Sequence, residues 1–199
     1  MADRLVDGRC PWGASTPDYV AYHDEEWGKP VRDDHGLYER MCLEAFQSGL
    51  SWLTILRKRE NFRAAFAGFE PRAVAAFGDE DVARLMADAG IVRNRMKIDA
   101  AIANAKVVAD MERAGESLAE LLWSFAPEER PAPRTLADVP AATSESTAMA
   151  KELKKRGFRF VGPTTAYAMM QACGLVDDHI EGCLVARARP GTASARPPA

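Results

Sequence analysis

Cysteine is scarce, with four residues in a chain of 199. That is too few for a disulfide framework to replace a hydrophobic core. Long apolar runs are also missing. The longest stretch without charge, Phe160 to Val176, has 17 residues and is broken by Gly162, Pro163 and Gln171; a bilayer helix needs about 20 apolar residues, so no membrane span is expected. An excess of one charge is absent as well, since 26 basic residues against 29 acidic ones leave a net charge of −3. A uniform basic field of the kind that coats DNA is therefore excluded. With 14 Gly and 12 Pro, collagen-like and low-complexity classes are excluded too. The opening MADRLVDGRC carries charges where a signal peptide needs an apolar run, so the expectation is a cytoplasmic protein whose thiols are reduced or metal-bound.

What remains is 47% hydrophobic and long enough to bury a core. Most of it reads as short helices with clear punctuation. Asp79 is read as the cap of DEDVARLMADAG, which stops at Gly90. MKIDAAIANAKVVADMERAG ends at Gly115, and ESLAELLWSF follows. Four prolines between Ala126 and Ser144 mark a surface connection, after which Thr143 or Ser144 opens TAMAKELKKRGF and TTAYAMMQACG gives a last helix. No convincing alternation of apolar and polar residues occurs, so the fold is expected to be all-α.

Four constellations could carry chemistry. Cys10 and His23 near one end, with His179 and Cys183 near the other, make a donor set for a closed tetrahedral zinc site. Buried thiols and surface histidines are the commoner explanation of such positions, so spacing alone leaves the metal open. HIE (179–181) also fits the H-x-E of zinc deaminases, but the P-C-x-x-C that chemistry requires is absent. Second, Trp12, Tyr19, Tyr22, Trp27, Tyr38, Phe46 and Trp52 crowd into the first 52 positions. Their polar handles suit a pocket that stacks a flat ring, although an aromatic core would have the same composition. Third, Glu44 shares a helical face with Leu37 and Met41 and has apolar neighbours, which makes it a candidate site acid. Glu39 and His35, among polar neighbours, read as solvated or structural. Fourth, KRGFRFVGPTTAYAMM places two helices around a glycine-bearing turn beside Lys154, Lys155 and Arg156. A helix N-terminus there could receive a phosphate. Clusters at 57–63 and 93–97 are basic as well, and charge alone favours solvated helix faces for all three.

Together these features resemble the bacterial 3-methyladenine DNA glycosylase I family, of the helix-hairpin-helix superfamily. The resemblance runs from about Arg9 to Cys183 through YVAYHDEEWG, CLEAFQSGLSW, LRKRENFRAAF, DAGIVRNRMKI and LKKRGFRFVGPTTAYAMMQACGLVDDH, in family order. It implies a helix-hairpin-helix glycosylase fold with a zinc lobe formed by 1–30 and 170–186 and a helical domain at 31–169; beyond it, 187–199 has three Pro and no apolar residue larger than Ala, and a disordered tail is expected there. It implies one structural zinc held by Cys10, His23, His179 and Cys183. Glu44 would read the amino edge of an extruded base, with Tyr22 and Trp52 bonding to it or stacking on it. Trp12, Tyr19 and Trp27 would complete the pocket wall. Phe160, Val161, Gly162, Pro163, Thr164 and Thr165 would grip the DNA backbone with Lys154, Lys155 and Arg156. Related hairpin glycosylases use an Asp after the hairpin helix to assist water, a role this family is regarded as lacking; Asp178 is the candidate here.

The implied activity is hydrolysis of the N-glycosidic bond of 3-methyladenine in alkylated double-stranded DNA, leaving an abasic site and the free base. A monomer with no membrane partner is expected. Lyase relatives carry a Lys where this chain has Thr164, which implies a monofunctional enzyme. Two departures stand out: Phe46 occupies a position expected to be polar beside the pocket, which bears on substrate preference, and Pro163 sits where the family often has Thr. A non-enzymatic DNA-binding hairpin would not need Glu44 among aromatics. A zinc hydrolase of small molecules would need an open metal position that four protein ligands close.

Overall fold

The computed structural model describes residues 4–128 and 130–186. The tail expected at 187–199 lies outside the described residues. Within them the fold is all-α: apart from an isolated bridge between Val6 and Arg9, no strand pairing occurs. The helices are α1 (Pro17–Glu25), α2 (Asp34–Gln47), α3 (Trp52–Ala65), α4 (Pro71–Ala75), α5 (Asp79–Ala87), α6 (Arg95–Arg113), α7 (Leu118–Trp123), α8 (Ser144–Lys155) and α9 (Pro163–Ala172). Short 3-10 turns sit at Ala67–Phe69 and Leu136–Asp138. No described helix is long and apolar enough to cross a membrane.

α2 is the centre of the molecule, packing against α3, α6, α7 and α9. It is buried from Leu37 to Phe46 except at the half-buried Arg40. A helix enclosed on nearly all sides has little polar face to turn outward, and this overturns the expectation for Glu39. That residue is buried, and it is paired with Arg63 of α3, Nη2 to Oε1 at 2.7 Å. Phe46 likewise points into the main core, its ring 4.7 Å from that of Phe62 and 5.7 Å from that of Phe66. His35 is exposed, as expected, with Nε2 2.7 Å from the Gly68 carbonyl oxygen.

Helix starts follow side-chain caps. Thr16, Ser51, Asn94, Ser117 and Thr143 each accept a bond from a first-turn N–H of α1, α3, α6, α7 and α8 respectively. Asp79 is a correction: it is the first residue of α5, and the N-cap is Gly78, whose N–H donates to Asp81 at 3.1 Å. α5 also stops at Ala87, ahead of Gly90. α9 opens with Gly162 as cap and Pro163 at its first position, where the missing N–H has no intrahelical partner to lose.

The two ends of the described chain meet. Ile180 donates its N–H to the Cys10 sulfur at 3.4 Å, and Leu184 donates to the Gly8 carbonyl at 2.8 Å. Cys10, Ile180 and Cys183 form a small apolar cluster separate from the main core.

Candidate base-binding pocket and metal centre

Between α1, the end of α2, the start of α3 and α9 lies a pocket of about 370 Å³. This is at the small end of the range for ligand sites, suited to one ring system. Tyr19 and Tyr22 reach it from one face of α1, Glu44 and Gln47 from the last turn of α2, and Trp52 from the first residue of α3. Trp12 and Trp27 close a side, packed edge-on with ring centroids 4.9 Å apart. The Tyr22 and Trp52 rings are 5.3 Å apart and tilted by 45°. Tyr19 accepts the Leu53 N–H at 3.0 Å, which ties α1 to the otherwise unsatisfied first turn of α3. All five aromatic residues predicted for a pocket wall, and Glu44, are thus brought together.

Two polar groups in this pocket lack partners. The Trp52 indole N–H is buried with no acceptor. The Glu44 carboxyl, on a residue 6% exposed, has no hydrogen-bond donor among the described residues. Burial pushes its pKa up to about 8, and the charge of Arg40 offsets only part of that. Burial, reinforced by Glu44, also raises Tyr22 well above the usual tyrosine range and keeps it a phenol. A carboxyl without a donor and a buried N–H without an acceptor among the described residues, on two residues that line one aromatic pocket, are unfavourable when it is empty and complementary to a flat ligand that offers both.

Asp178 lines the same pocket and is buried. Its Oδ2 accepts from Tyr167 Oη and, at 2.9 Å, from Gln171 Nε2, while Oδ1 accepts from Arg130 Nη2 at 3.1 Å. Sequence reasoning missed this network and the pocket residues Gln47, Gln171, Leu136, Val139 and Ala168. Signals did exist: Gln47 lies one turn beyond Glu44, and Tyr167 and Gln171 are the polar pair at helical spacing in the otherwise apolar part of α9 after Thr165.

At the chain ends, ligand atoms of Cys10, His23 and Cys183 lie within 4.8 Å of one another, with Cys183 Sγ 3.5 Å from His23 Nε2. Bonds of about 2.0–2.3 Å to one tetrahedral ion would separate such donors by roughly 3–4 Å. The fourth predicted ligand, His179, lies outside that group of three but close by, its ring 5.0 Å from that of His23. Its Nδ1 is held by Asp177 Oδ1 at 2.6 Å, while its Nε2 is buried with no partner. His23 is arranged the same way, with Nδ1 2.8 Å from Asp24 Oδ1. Carboxylates on both Nδ1 atoms leave both Nε2 lone pairs for a cation, so the donor set fits a metal. Hydrogen bonding between the thiols lowers Cys183 and raises Cys10.

The predicted backbone-binding turn follows α8. Phe158 and Val161 are buried, and Arg159 and Phe160 are exposed. The N–H groups of Thr164 and Thr165 fall in the first turn of α9 and have no carbonyl one turn back. Lys154 and Lys155 are exposed. Arg156 differs from expectation: it is bonded to Glu152 at 2.9 Å and to Glu116, so its charge is already matched.

Fold and pocket define a helical protein that takes in one flat ring beside a basic interhelical turn. The chain belongs to the methyladenine glycosylase family, whose model matches residues 12–187. It is 52% identical over 177 residues to DNA-3-methyladenine glycosylase 1 of Escherichia coli strain K12, covering 88% of this chain and 95% of that one. It is 46% identical over 178 residues to DNA-3-methyladenine glycosylase of Haemophilus influenzae, covering 88% and 96%. The fold matches a crystal structure of 3-methyladenine DNA glycosylase I with a TM-score of 0.87 at 50% identity, covering 90% and 100% of the two chains. It also matches a structure addressing 3-methyladenine recognition by the Staphylococcus aureus glycosylase, with a TM-score of 0.86 at 35% identity and coverage of 92% and 98%.

The Glu44 pKa has a stability consequence. Because its folded value, about 8, exceeds the ordinary 4.5, the folded state holds a proton that the unfolded chain has released. The stability this gives is fully present below pH 4.5 and is lost as pH rises through 8. The loss is on the order of 5 kcal/mol at most. Glu44→Gln carries no such charge. Its melting temperature is expected to exceed that of the natural protein above pH 8 and to converge with it near pH 4.5, measured by thermal denaturation across that range. A gap independent of pH would contradict the assignment.

Proposed function

We propose that this protein is a monofunctional DNA glycosylase that hydrolyses the bond between 3-methyladenine and deoxyribose in alkylated duplex DNA. The observation that carries the reading is the pairing of an unmatched Glu44 carboxyl with an unmatched Trp52 N–H in one aromatic pocket. Methylation at N3 makes the adenine cationic. Its exocyclic amine donates to Glu44, and a ring nitrogen left free by methylation accepts from Trp52. Tyr22, Trp52, Trp12, Tyr19 and Trp27 supply ring faces and edges. The names of the relatives, and the recognition of 3-methyladenine by one of them, support the same substrate.

A cationic base leaves as a neutral molecule, so the enzyme needs to extrude and recognise it more than to activate a strong nucleophile. The C1′–N9 bond breaks with its electron pair passing to the base, a water oxygen bonds to C1′, and that water's proton leaves to solvent. The Asp178 carboxylate, whose oxygens accept from Tyr167, Gln171 and Arg130, stands beside the developing sugar cation and stabilises it electrostatically. Phe160 to Thr165, with Lys154 and Lys155, hold the phosphates; Arg156 supports the turn through Glu116 and Glu152. Leu50, 42% exposed on the loop between Gln47 and Trp52, is placed to fill the gap left by the extruded base. Thr164 cannot form an imine, so the strand is left intact.

Zinc, held by Cys10, His23, His179 and Cys183, would join 1–30 to 170–186 as a structural lobe beside the helical domain of 31–169. In this lobe it supplies no catalytic chemistry.

The test is incubation with methylated duplex DNA followed by chromatography of the released bases. The protein should release 3-methyladenine without strand breaks, and borohydride should trap no covalent complex. Glu44→Gln, which replaces one acceptor oxygen with an amide donor, should lose about 30-fold or more in kcat/KM with its fold intact. Undiminished release by that variant would remove Glu44 from the site. Metal analysis should give one zinc per chain, with Cys10→Ala losing both metal and thermal stability; folded, active protein without zinc would refute the lobe.

A further inference from the structure

The face that α6 turns to the core is apolar except at two buried polar residues, Lys97 (7% exposed) and Asn104 (1%). They are seven residues apart, two turns of one helix face, or roughly 10 Å along the axis. Neither lines the base pocket. Both bind backbone of other segments. Lys97 Nζ donates to the Phe46 carbonyl at 2.8 Å and the Ser48 carbonyl at 2.5 Å, at the mouth of the α2–α3 loop. Asn104 holds the turn between α8 and α9 from both sides: its Oδ1 accepts the Arg159 N–H at 2.7 Å, and its Nδ2 donates to the Arg159 carbonyl at 3.1 Å.

These two loops are the ones that must act on the same DNA strand, a statement that rests on the function proposed above. The first runs from Gln47 through Leu50 to Trp52 and forms the pocket mouth. The second grips phosphates. Its tip is strained: Phe160, next to the clamped Arg159, has φ of 55°, a conformation that non-glycine residues rarely adopt. Such a residue persists where its surroundings over-determine it. Here the surroundings are the Asn104 clamp on one side and buried Val161 on the other. A buried ammonium is a poor choice for stability alone, where a leucine or methionine would pack without desolvation cost.

We propose that α6 is a spacer that fixes the distance between the pocket mouth and the phosphate-gripping turn, with Lys97 and Asn104 as its positioning residues. A base can enter the pocket only if the phosphate beside it is held one nucleotide's reach away, and misplacement by about 1 Å can lower a rate 100-fold. Free base has no backbone to hold and does not depend on the spacer. This separates positioning from simple structural support.

The experiment compares Lys97→Met, Asn104→Ala and their double variant with the natural protein, in single-turnover excision from methylated duplex DNA and in binding of free 3-methyladenine followed by tryptophan fluorescence. Milder Lys97→Gln and Asn104→Asp serve where the first pair folds poorly; Asn104→Asp keeps the acceptor for the Arg159 N–H and loses the donor to its carbonyl. Leu122→Ala, a core truncation in α7 away from α6, provides a destabilised control. Both single variants should excise at least tenfold more slowly while binding free base within twofold of the natural protein. The double variant should be little worse than the poorer single one, because either change releases the same constraint. Lys97→Arg should recover most of the rate, and Leu122→Ala should keep it. Variants that excise at the natural rate would overturn the spacer alone, as would parallel loss of excision and free-base affinity. A natural protein that releases no base from methylated DNA would overturn the function and the spacer together.

Discussion

The constraint on which the site depends is the burial of an acid on the central helix. Glu44 lies in the run of α2 from Met41 to Phe46 that is buried throughout, and an ionised carboxylate there has lost water without gaining a donor. Its elevated pKa is the measure of that loss. The neighbouring aromatic residues make it worse by excluding water, and Trp52 adds a buried N–H with the opposite need. Both deficits are removed together by a flat ligand that donates to one and accepts from the other. Stability is thereby held back in the empty protein and recovered on binding, the usual cost of a preorganised recognition site.

The rest of the fold keeps that arrangement in register. α1 contributes Tyr19 and Tyr22 to the pocket and His23, on the same side of the helix, to the chain-end cluster, so the pocket wall and the candidate metal centre share a helix. The Trp27 ring lies 4.6 Å from the His179 ring and the Trp12 ring 5.2 Å from the His23 ring, so the two sites are in direct contact. Gly28, at φ of 77°, leaves room there, since a Cβ at that position would come within 2.8 Å of the His179 ring. α9 joins them again, with Ala168 and Gln171 in the pocket and the loop to His179 following directly.

Much of this was legible in the sequence because it is local. Helices with sharp stops, the crowding of Trp and Tyr before position 52, and an acid on an apolar face each announce themselves within a few residues. Apart from the ends of α5, which are local, the misreadings share one cause, partners distant in the chain. Glu39 sits among polar neighbours in sequence, yet it is buried against Arg63, 24 residues away. Phe46, two residues from Glu44, faces the Phe62 and Phe66 rings, and the polar residue beside the pocket is Gln47. Arg156 reads as part of a basic cluster but is matched by Glu116, 40 residues back. Asp178 draws its donors from Arg130, Tyr167 and Gln171, and no spacing rule would have grouped Arg130 with the other two.

The unpartnered Trp52 N–H offers the most direct test of the central claim, because its proton reports its own acceptor. In a proton–nitrogen correlation spectrum, with the four indole signals assigned by single Trp→Phe variants, titration with free 3-methyladenine should move the Trp52 Hε1 resonance downfield as it gains a hydrogen bond. The same titration of Glu44→Gln should need far more ligand. Saturation of the protein with no movement of the Trp52 signal, or with shifts confined to Trp123 outside the pocket, would contradict the account.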